Sequence, residues 1–419
     1  MSCTHPCHSL MDPTLIDDPA GGFSRIRDES PLAHAMVPGV DGPVWLVTRH
    51  ESVRKVLGDR RFVNDPTNVP GSSTPDLWAH AALAQGVPHE YLEHVRSMLQ
   101  LDGEVHARLR RLVSRAFTMR RITALRPRMM QLTEELLDLL PAKAEDGVVD
   151  LVEHFNYVQP ISVICALVGV PAADRAAWIR WSRALTSMES GTIGDAVTGM
   201  VDNIRALIEQ RRAEAADDLL TDLVRVRDAD GDRLSEREMI TMVITLVTAG
   251  HDSTGLLLSN GLAALLTHPD QLAKLGADPS LGPQAFDELM RWCSAIVAAR
   301  PRYATEDVEL EDGLVRRGDV VIPVLVSANY DPEVFEDPHR LDISRVHEQR
   351  RFHHVGFGDG LHYCLGAALA KHEAAIAITA LLERYPGLEL AVPAQRLRRA
   401  RLPLTWRLDS LPVRLGIGG

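Results

Sequence analysis

The sequence predicts a mainly α fold with a small β-rich part, and three observations carry that prediction. Apolar residues recur at helical spacing over 365–385, and Pro386-Gly387 end the run. A second run, 239–268, is apolar on every side, the mark of a helix buried in the middle of a large protein. Strand signals are short and few: 44–48, 308–310, 314–315 and 320–322.

The first 40 residues read as an irregular lead-in with short helices, residues 1–15 the most irregular. Residues 44–48 are apolar and β-branched after Asp41-Gly42-Pro43, so they read as a strand, and a short helix follows through Val53, Val56 and Leu57. Residues 64–88 are rich in Pro, Gly, Ser and Ala and read as a long loop, a kind of segment that tends to be functional. In the next helix Leu109, Leu112, Val113, Ala116 and Phe117 form one stripe. His106 and Arg110 share one flank of it, and Arg108, Arg111 and Arg115 occupy the other. The second row suits a solvated face or a docking patch for an acidic partner.

Residues 118–233 read as mostly helical, with breaks near Pro141, Gly169 and Gly191, and 186–198 reads as a mobile lid loop. Ser235 and Glu238 form a capping-box signature at the start of the long apolar helix. Midway that helix carries Ala249-Gly250-His251-Asp252-Ser253-Thr254, polar and small residues that cost stability in a buried helix. Asp312-Gly313 between two short β runs signals a hairpin.

The chain has 419 residues, 45 basic and 57 acidic side chains and a net charge of −12, which argues against nucleic acid as a partner. No stretch is long and apolar enough to span a bilayer, and the chain is expected in the cytoplasm, as a monomer. Five cysteines at 3, 7, 165, 293 and 364 make no disulfide framework. Cys3, His5, Cys7 and His8 have the wrong spacing for common zinc sites and read as a frayed terminus.

The densest chemical signal is Phe357-Gly358-Asp359-Gly360-Leu361-His362-Tyr363-Cys364-Leu365-Gly366. Its glycines permit tight turns and close approach to something flat. Cys364 precedes a helix, where amide donors and the helix dipole favour an anion, so its thiol is expected to ionise readily and to serve as a soft ligand for iron. The stretch resembles the haem-binding signature of the cytochromes P-450, Phe-Gly-x-Gly-x-His-x-Cys-x-Gly, at every fixed position. The resemblance covers nearly the whole chain and implies one domain, 1–419, with the cytochrome P-450 fold and a long central helix over a haem.

The resemblance further implies haem b (iron protoporphyrin IX), with Cys364 as the metal ligand and Phe357 and Gly358 against the cofactor. His106, Arg110, Arg302 and His362 would hold its propionates. One departure is Asp102-Gly103-Glu104-Val105-His106, where relatives commonly have Asp-Pro-Pro-Glu-His. Residues 249–254 match the oxygen-binding groove: Ala249 and Gly250 leave room for dioxygen, Asp252 relays protons, and Ser253 hydrogen-bonds the distal ligand. There the Ser253 hydroxyl can also bond back to the Ala249 carbonyl and open the helix locally. Most relatives have Thr at the position of Ser253. Glu288, Arg291 and Arg340 would form a buried scaffold cluster, residues 294–300 would line the pocket, 64–88 would overhang the haem, and Asp217-Asp218-Leu219-Leu220 would start a helix. Arg108, Arg111 and Arg115 would then face an acidic electron carrier.

The implied activity is a monooxygenase that activates O2, takes electrons from ferredoxin and ferredoxin reductase, and hydroxylates an apolar small to medium natural-product-like substrate. Two other readings stay open: oxidative C–C or C–N coupling or ring closure, for example of a cyclic peptide, and a haem sensor or binding protein without turnover.

Overall fold

The computed structural model describes residues 7–37, 42–71, 76–84, 86–187, 192–227, 231–310, 313–345 and 354–416. The long helix predicted between Ser235 and His268 is observed as Glu236–Thr267. Its capping box is formed: Ser235 Oγ accepts from the Glu238 amide at 3.2 Å, and the Glu238 carboxylate accepts from the Ser235 amide at 2.7 Å. Helices Val158–Val168, Ile193–Ala213 and Ala367–Arg384 pack around it. Apolar residues such as Val243, Val247, Leu258 and Leu262 are therefore buried on all of its faces.

The largest sheet is six-stranded and mixed, in the order Cys7–Ser9, Leu32–Met36, Pro43–Val47, Val320–Pro323, Arg302–Ala304, Phe62–Val63, and a smaller antiparallel sheet joins Glu389–Leu390, Pro412–Arg414 and Val149–Asp150. The register of the six-stranded sheet matters for the site. Val63 pairs with Tyr303, and Arg302 pairs with Val321, so the strand ends carry Asn64 and Arg302 to one place. The predicted hairpin pairs Val308–Leu310 with Gly313–Val315; Asp312 lies outside the described residues.

Three expectations about loops need correction. The N-terminal lead-in is not irregular: Cys7–Ser9 and Leu32–Met36 are strands of the main sheet, with helices Pro13–Asp17 and Pro19–Glu29 between them. Asp12 and Asp18 cap those helices ahead of a proline, so local signals were present and unread. The 64–88 loop contains the helix Leu77–Ala84. The supposed lid is mostly helix, since Arg175–Ser187 and Ile193–Ala213 extend into it and residues 188–191 lie outside the described residues. Thr198 stays helical by donating its hydroxyl to the Gly194 carbonyl at 2.9 Å. Cys3 and His5 also lie outside the described residues, among which no cluster of metal-binding side chains occurs. No described helix is long and apolar enough to cross a membrane.

Candidate active site

A cavity of about 490 Å3 opens between the Cys364 loop and the central helix. On one wall, the amide of Cys364 donates to the Phe357 carbonyl at 2.9 Å and closes the loop. Gly360 sits at φ +68°, and a Cβ there would come within 2.7 Å of the Leu57 carbonyl oxygen, so only glycine lets the loop pass beneath helix His50–Gly58. The Phe357 ring stacks on Phe286 with centroids 6.2 Å apart. Cys364 lies two residues before Gly366, the cap of helix Ala367–Arg384, and its sulfur lines the cavity. Contrary to the sequence expectation, the thiol does not ionise easily in this setting. Burial raises its pKa, and the Gly366 and Ala367 amides together with the Arg110 charge only oppose that rise.

The facing wall is the stretch 249–254. Ser253 Oγ donates to the Ala249 carbonyl at 2.6 Å and Thr254 Oγ1 to the Gly250 carbonyl at 2.7 Å. The back-bonds form as expected, yet the helix remains continuous through them instead of opening. Gly250 lines the cavity, but its missing side chain serves packing, since a Cβ would lie 2.9 Å from Ile164 Cδ1. His251 turns away: its Nδ1 is 2.8 Å from Ser182 Oγ, and burial pushes it down to about 3, so the ring is neutral.

Asp252 has a partner that no sequence signal revealed. Arg407 Nη2, 155 residues on, donates to its carboxylate at 2.6 Å. Burial nevertheless raises the Asp252 pKa, with Arg407 opposing. The same guanidinium lies over the Tyr157 ring, 5.2 Å from its centroid. Around this pair hydrogen bonding is incomplete: Arg407 Nε and the Tyr157 hydroxyl are buried without partners.

At one edge of the cavity the four residues expected to hold carboxylates converge. The rings of His106 and His362 lie 4.0 Å apart, Arg110 donates to the Tyr363 carbonyl at 2.6 Å, and Arg302 donates to the side chain of Asn64. Asn64, unnoticed in the sequence, also contacts His362 Nε2 at 2.8 Å. Asp102 is the acid here, and its oxygens are occupied by the amides of Asn64 and Asp65 and the side chains of Asn64 and Asn68. Gly103 at φ +58° begins the helix that carries His106, so the flexible approach is used as a left-handed turn. Burial lowers the pKa of both imidazoles, His362 to about 3, and His106 Nε2 is buried with no partner. A corner with surplus donors and an orphaned imidazole nitrogen fits a flat group bearing carboxylates, and a sulfur ligand on the adjoining wall fits its iron.

The scaffold pair is present with a different third member. Arg291 donates to both oxygens of Glu288 at 2.8 Å, and both side chains are fully buried. The additional arginine is Arg345, 3.2 Å from Glu288, whereas Arg340 is 68% exposed. The reason is that Arg291 engages the backbone carbonyls of Asn329, Pro338 and Arg340, so that segment contributes main chain and the following turn returns Arg345. The arginine row is also corrected. Arg108 is bonded to Asp232 and Glu238, and Arg115 donates to the Arg227 carbonyl at 2.6 Å, so these two brace the fold. A further group missed in the sequence is Glu373, which lines the cavity. Its Oε1 is unpartnered, and burial holds its pKa well above the usual carboxylate range.

A profile of the cytochrome P450 family matches residues 178–278 and 281–392. The chain is 40% identical to the cytochrome P450 monooxygenase PikC of Streptomyces venezuelae over 95% of its length and 91% of the relative's. It is 37% identical to the 6-deoxyerythronolide B hydroxylase of Saccharopolyspora erythraea, over 94% and 95% of the two chains. The structure of PksS, the cytochrome P450 of the Bacillus subtilis bacillaene polyketide synthase, superposes with a TM-score of 0.86 at 33% identity, over 97% of this chain and 99% of that one.

Proposed function

This chain belongs to the bacterial cytochromes P450 and is a haem-dependent monooxygenase, and on that premise we propose that it hydroxylates an apolar, polyketide-like natural product with electrons from a ferredoxin and its reductase. The observation that carries the reading is one cavity lined by the Cys364 sulfur, the Ala249–Ser253 turn and a donor-rich edge. The names of its relatives support the substrate class, one being a hydroxylase of 6-deoxyerythronolide B and another the cytochrome of a polyketide synthase. The whole chain, 1–419, works as one monomeric domain in the cytoplasm.

Cys364 is the residue that would ligate the iron of haem b, with Phe357 and Gly358 packed beside it. His106, Arg110, Arg302 and His362, together with Asn64, would hold the two propionates. When bound, the haem supplies the one-electron and dioxygen chemistry. The balance is one O2, two electrons and two protons, with one oxygen atom entering substrate and the other leaving as water.

This chain's own task is to exclude bulk water and deliver those protons. Asp252 carries a raised pKa and so holds a proton more readily than an exposed carboxyl. Arg407 grips one face of it, and with an orphaned Nε and the unpartnered Tyr157 hydroxyl nearby the acid has alternative partners when it moves. Ser253 lines the cavity and commits its hydroxyl proton to the Ala249 carbonyl, so its oxygen is left to act as an acceptor.

The ligation is tested by the carbon monoxide difference spectrum of reduced protein. A red-shifted Soret band, absent from Cys364→Ala, is expected. Persistence of that band in the variant overturns the assignment.

A further inference from the structure

Arg407 reaches Asp252 from outside the cavity, with the Tyr157 ring against its guanidinium. Asp252 lines the cavity, whereas neither Arg407 nor Tyr157 does. The backbone that carries Arg407 is fixed. Asn260 of the central helix donates to the Trp406 carbonyl at 2.7 Å, the Ala400 amide donates to the Arg407 carbonyl at 3.0 Å, and Arg399 pairs with Leu408 in an antiparallel bridge. The side chain is long and rich in rotamers, and its Nε has no partner. One end of the guanidinium is bonded to the Asp252 carboxylate, and its carbon lies 5.2 Å from the centroid of the Tyr157 ring.

The ring is itself built into place. Tyr157 joins the π-helical turn Val152–Asn156 to helix Val158–Val168 and is 8% exposed. It lies flush on the central helix at Gly255, where a Cβ would come within 2.7 Å of its Cδ1 and 3.0 Å of its Cγ. A glycine inside a helix costs stability, and here it makes room for this ring. The His251 ring meets it edge-on, with centroids 5.7 Å apart. Burial keeps the phenol protonated, and the charges that act on it are those of Asp252 and Arg407. His251 is neutral, and Arg183, which acts on His251, is engaged with the Glu153 carbonyl. A guanidinium seated on an aromatic face is attracted by the ring and stays put where a free arginine would swing away. We propose that Tyr157 is a positioning residue for proton delivery, whose ring holds the Arg407 guanidinium in place while the Asp252 carboxyl leaves it and returns. The inference rests on the monooxygenase reading above and adds to it the part that resets the acid.

The test titrates Asp252 directly in holoprotein. Infrared difference spectra follow the stretch of its protonated carboxyl, identified as the band absent from Asp252→Asn. Arg407 opposes the rise that burial gives Asp252, so a guanidinium that drifts off should move the midpoint up. Tyr157→Leu is expected to raise it by about one pH unit, a tenfold gain in proton affinity, and Tyr157→Phe, which keeps the ring, by much less. Gly255→Ala crowds the ring with Tyr157 intact and should also raise it, so it serves where Tyr157→Leu does not fold. In an Arg407→Ala background the midpoint is already high, and Tyr157→Leu should leave it there.

An unchanged midpoint in Tyr157→Leu, or in Gly255→Ala where the first variant does not fold, overturns the proposal. So does a midpoint in Tyr157→Phe as high as in Tyr157→Leu, since the ring would then not be the hold. A shift of the same size in the Arg407→Ala background overturns it too, because Tyr157 would then act on Asp252 without the arginine. Absence of the red-shifted carbon monoxide band from reduced wild-type protein would instead overturn the monooxygenase reading on which the proposal rests, whatever the titration shows.

Discussion

Two carboxylate–arginine pairs in this protein show how similar groups serve different ends. In the Glu288–Arg291–Arg345 cluster Glu288 and Arg291 have no accessible surface, and the Arg291 side chain reaches both the Glu288 carboxylate and backbone carbonyls. In the Asp252–Arg407 pair the side chains are 24% and 17% exposed, the contact uses a single carboxylate oxygen, and orphaned donors surround it. A saturated pair has nowhere to go and holds the frame. An undersaturated pair beside a cavity can exchange partners, which proton delivery requires.

The largest effect should come from breaking the saturated pair. Arg291→Ala takes from the buried Glu288 its two-pronged partner and leaves only Arg345 and the Asp342 amide to offset the charge, with an expected loss of about 3–5 kcal/mol of stability. Chemical denaturation, or failure to recover folded protein, reads it. A stability within about 1 kcal/mol of wild type would show that the cluster is no keystone.

Arg407→Ala should cost less, roughly 1–2 kcal/mol, because solvent reaches the pair and Asp252 can relax by taking up a proton. The variant should fold and retain haem while product formed per electron falls. A loss of stability as large as that of Arg291→Ala would erase the distinction between the two pairs.

Acid offers a smaller test on the scaffold side. Asp342 donates its amide to Glu288 at 3.1 Å. Burial works against its ionised form, but hydrogen bonds from Ser344 and the Lys274 charge outweigh it and bring the pKa from 3.8 down to about 2. A depressed carboxylate contributes stability above its unfolded pKa and loses it as pH falls through the folded value. The contribution should therefore be complete above pH 3.8 and fade toward pH 2. Denaturant midpoints of Asp342→Asn should show a flatter acid limb than wild type.

The smallest effect on stability belongs to Ser253→Ala, within about 0.5 kcal/mol. Haem content should not change, while peroxide release should rise at the expense of product. Ser253→Thr should reverse that loss if the cavity accepts one more methyl. Full coupling in Ser253→Ala would remove the hydroxyl from the proton path and favour radical coupling over hydroxylation.

Legibility followed sequence distance. The Cys364 loop, the capping box of Ser235 and Glu238, and the Ser253–Ala249 bond were readable because each closes within a few residues, where turn chemistry and helical periodicity act. The partner of Asp252 was not, since Arg407 lies 155 residues away and follows no spacing rule. Asn64 met Arg302 across 238 residues only through the pairing of Val63 with Tyr303. Arg108 looked like part of a free basic row, because helical periodicity reports which flank a residue occupies and not what packs against that flank.

By itself, then, the sequence determined the helical class, the long buried helix, the cysteine loop and the types of residue brought to the cavity, because periodicity and local turn chemistry encode these directly. The tertiary structure alone decided which charges are paired. It put Arg345 and not Arg340 on Glu288, closed Arg108 onto Glu238, and joined Arg407 to Asp252. The physical reason is that a charge is satisfied or stranded by whatever packing brings within about 4 Å, and sheet register and helix crossings set that distance.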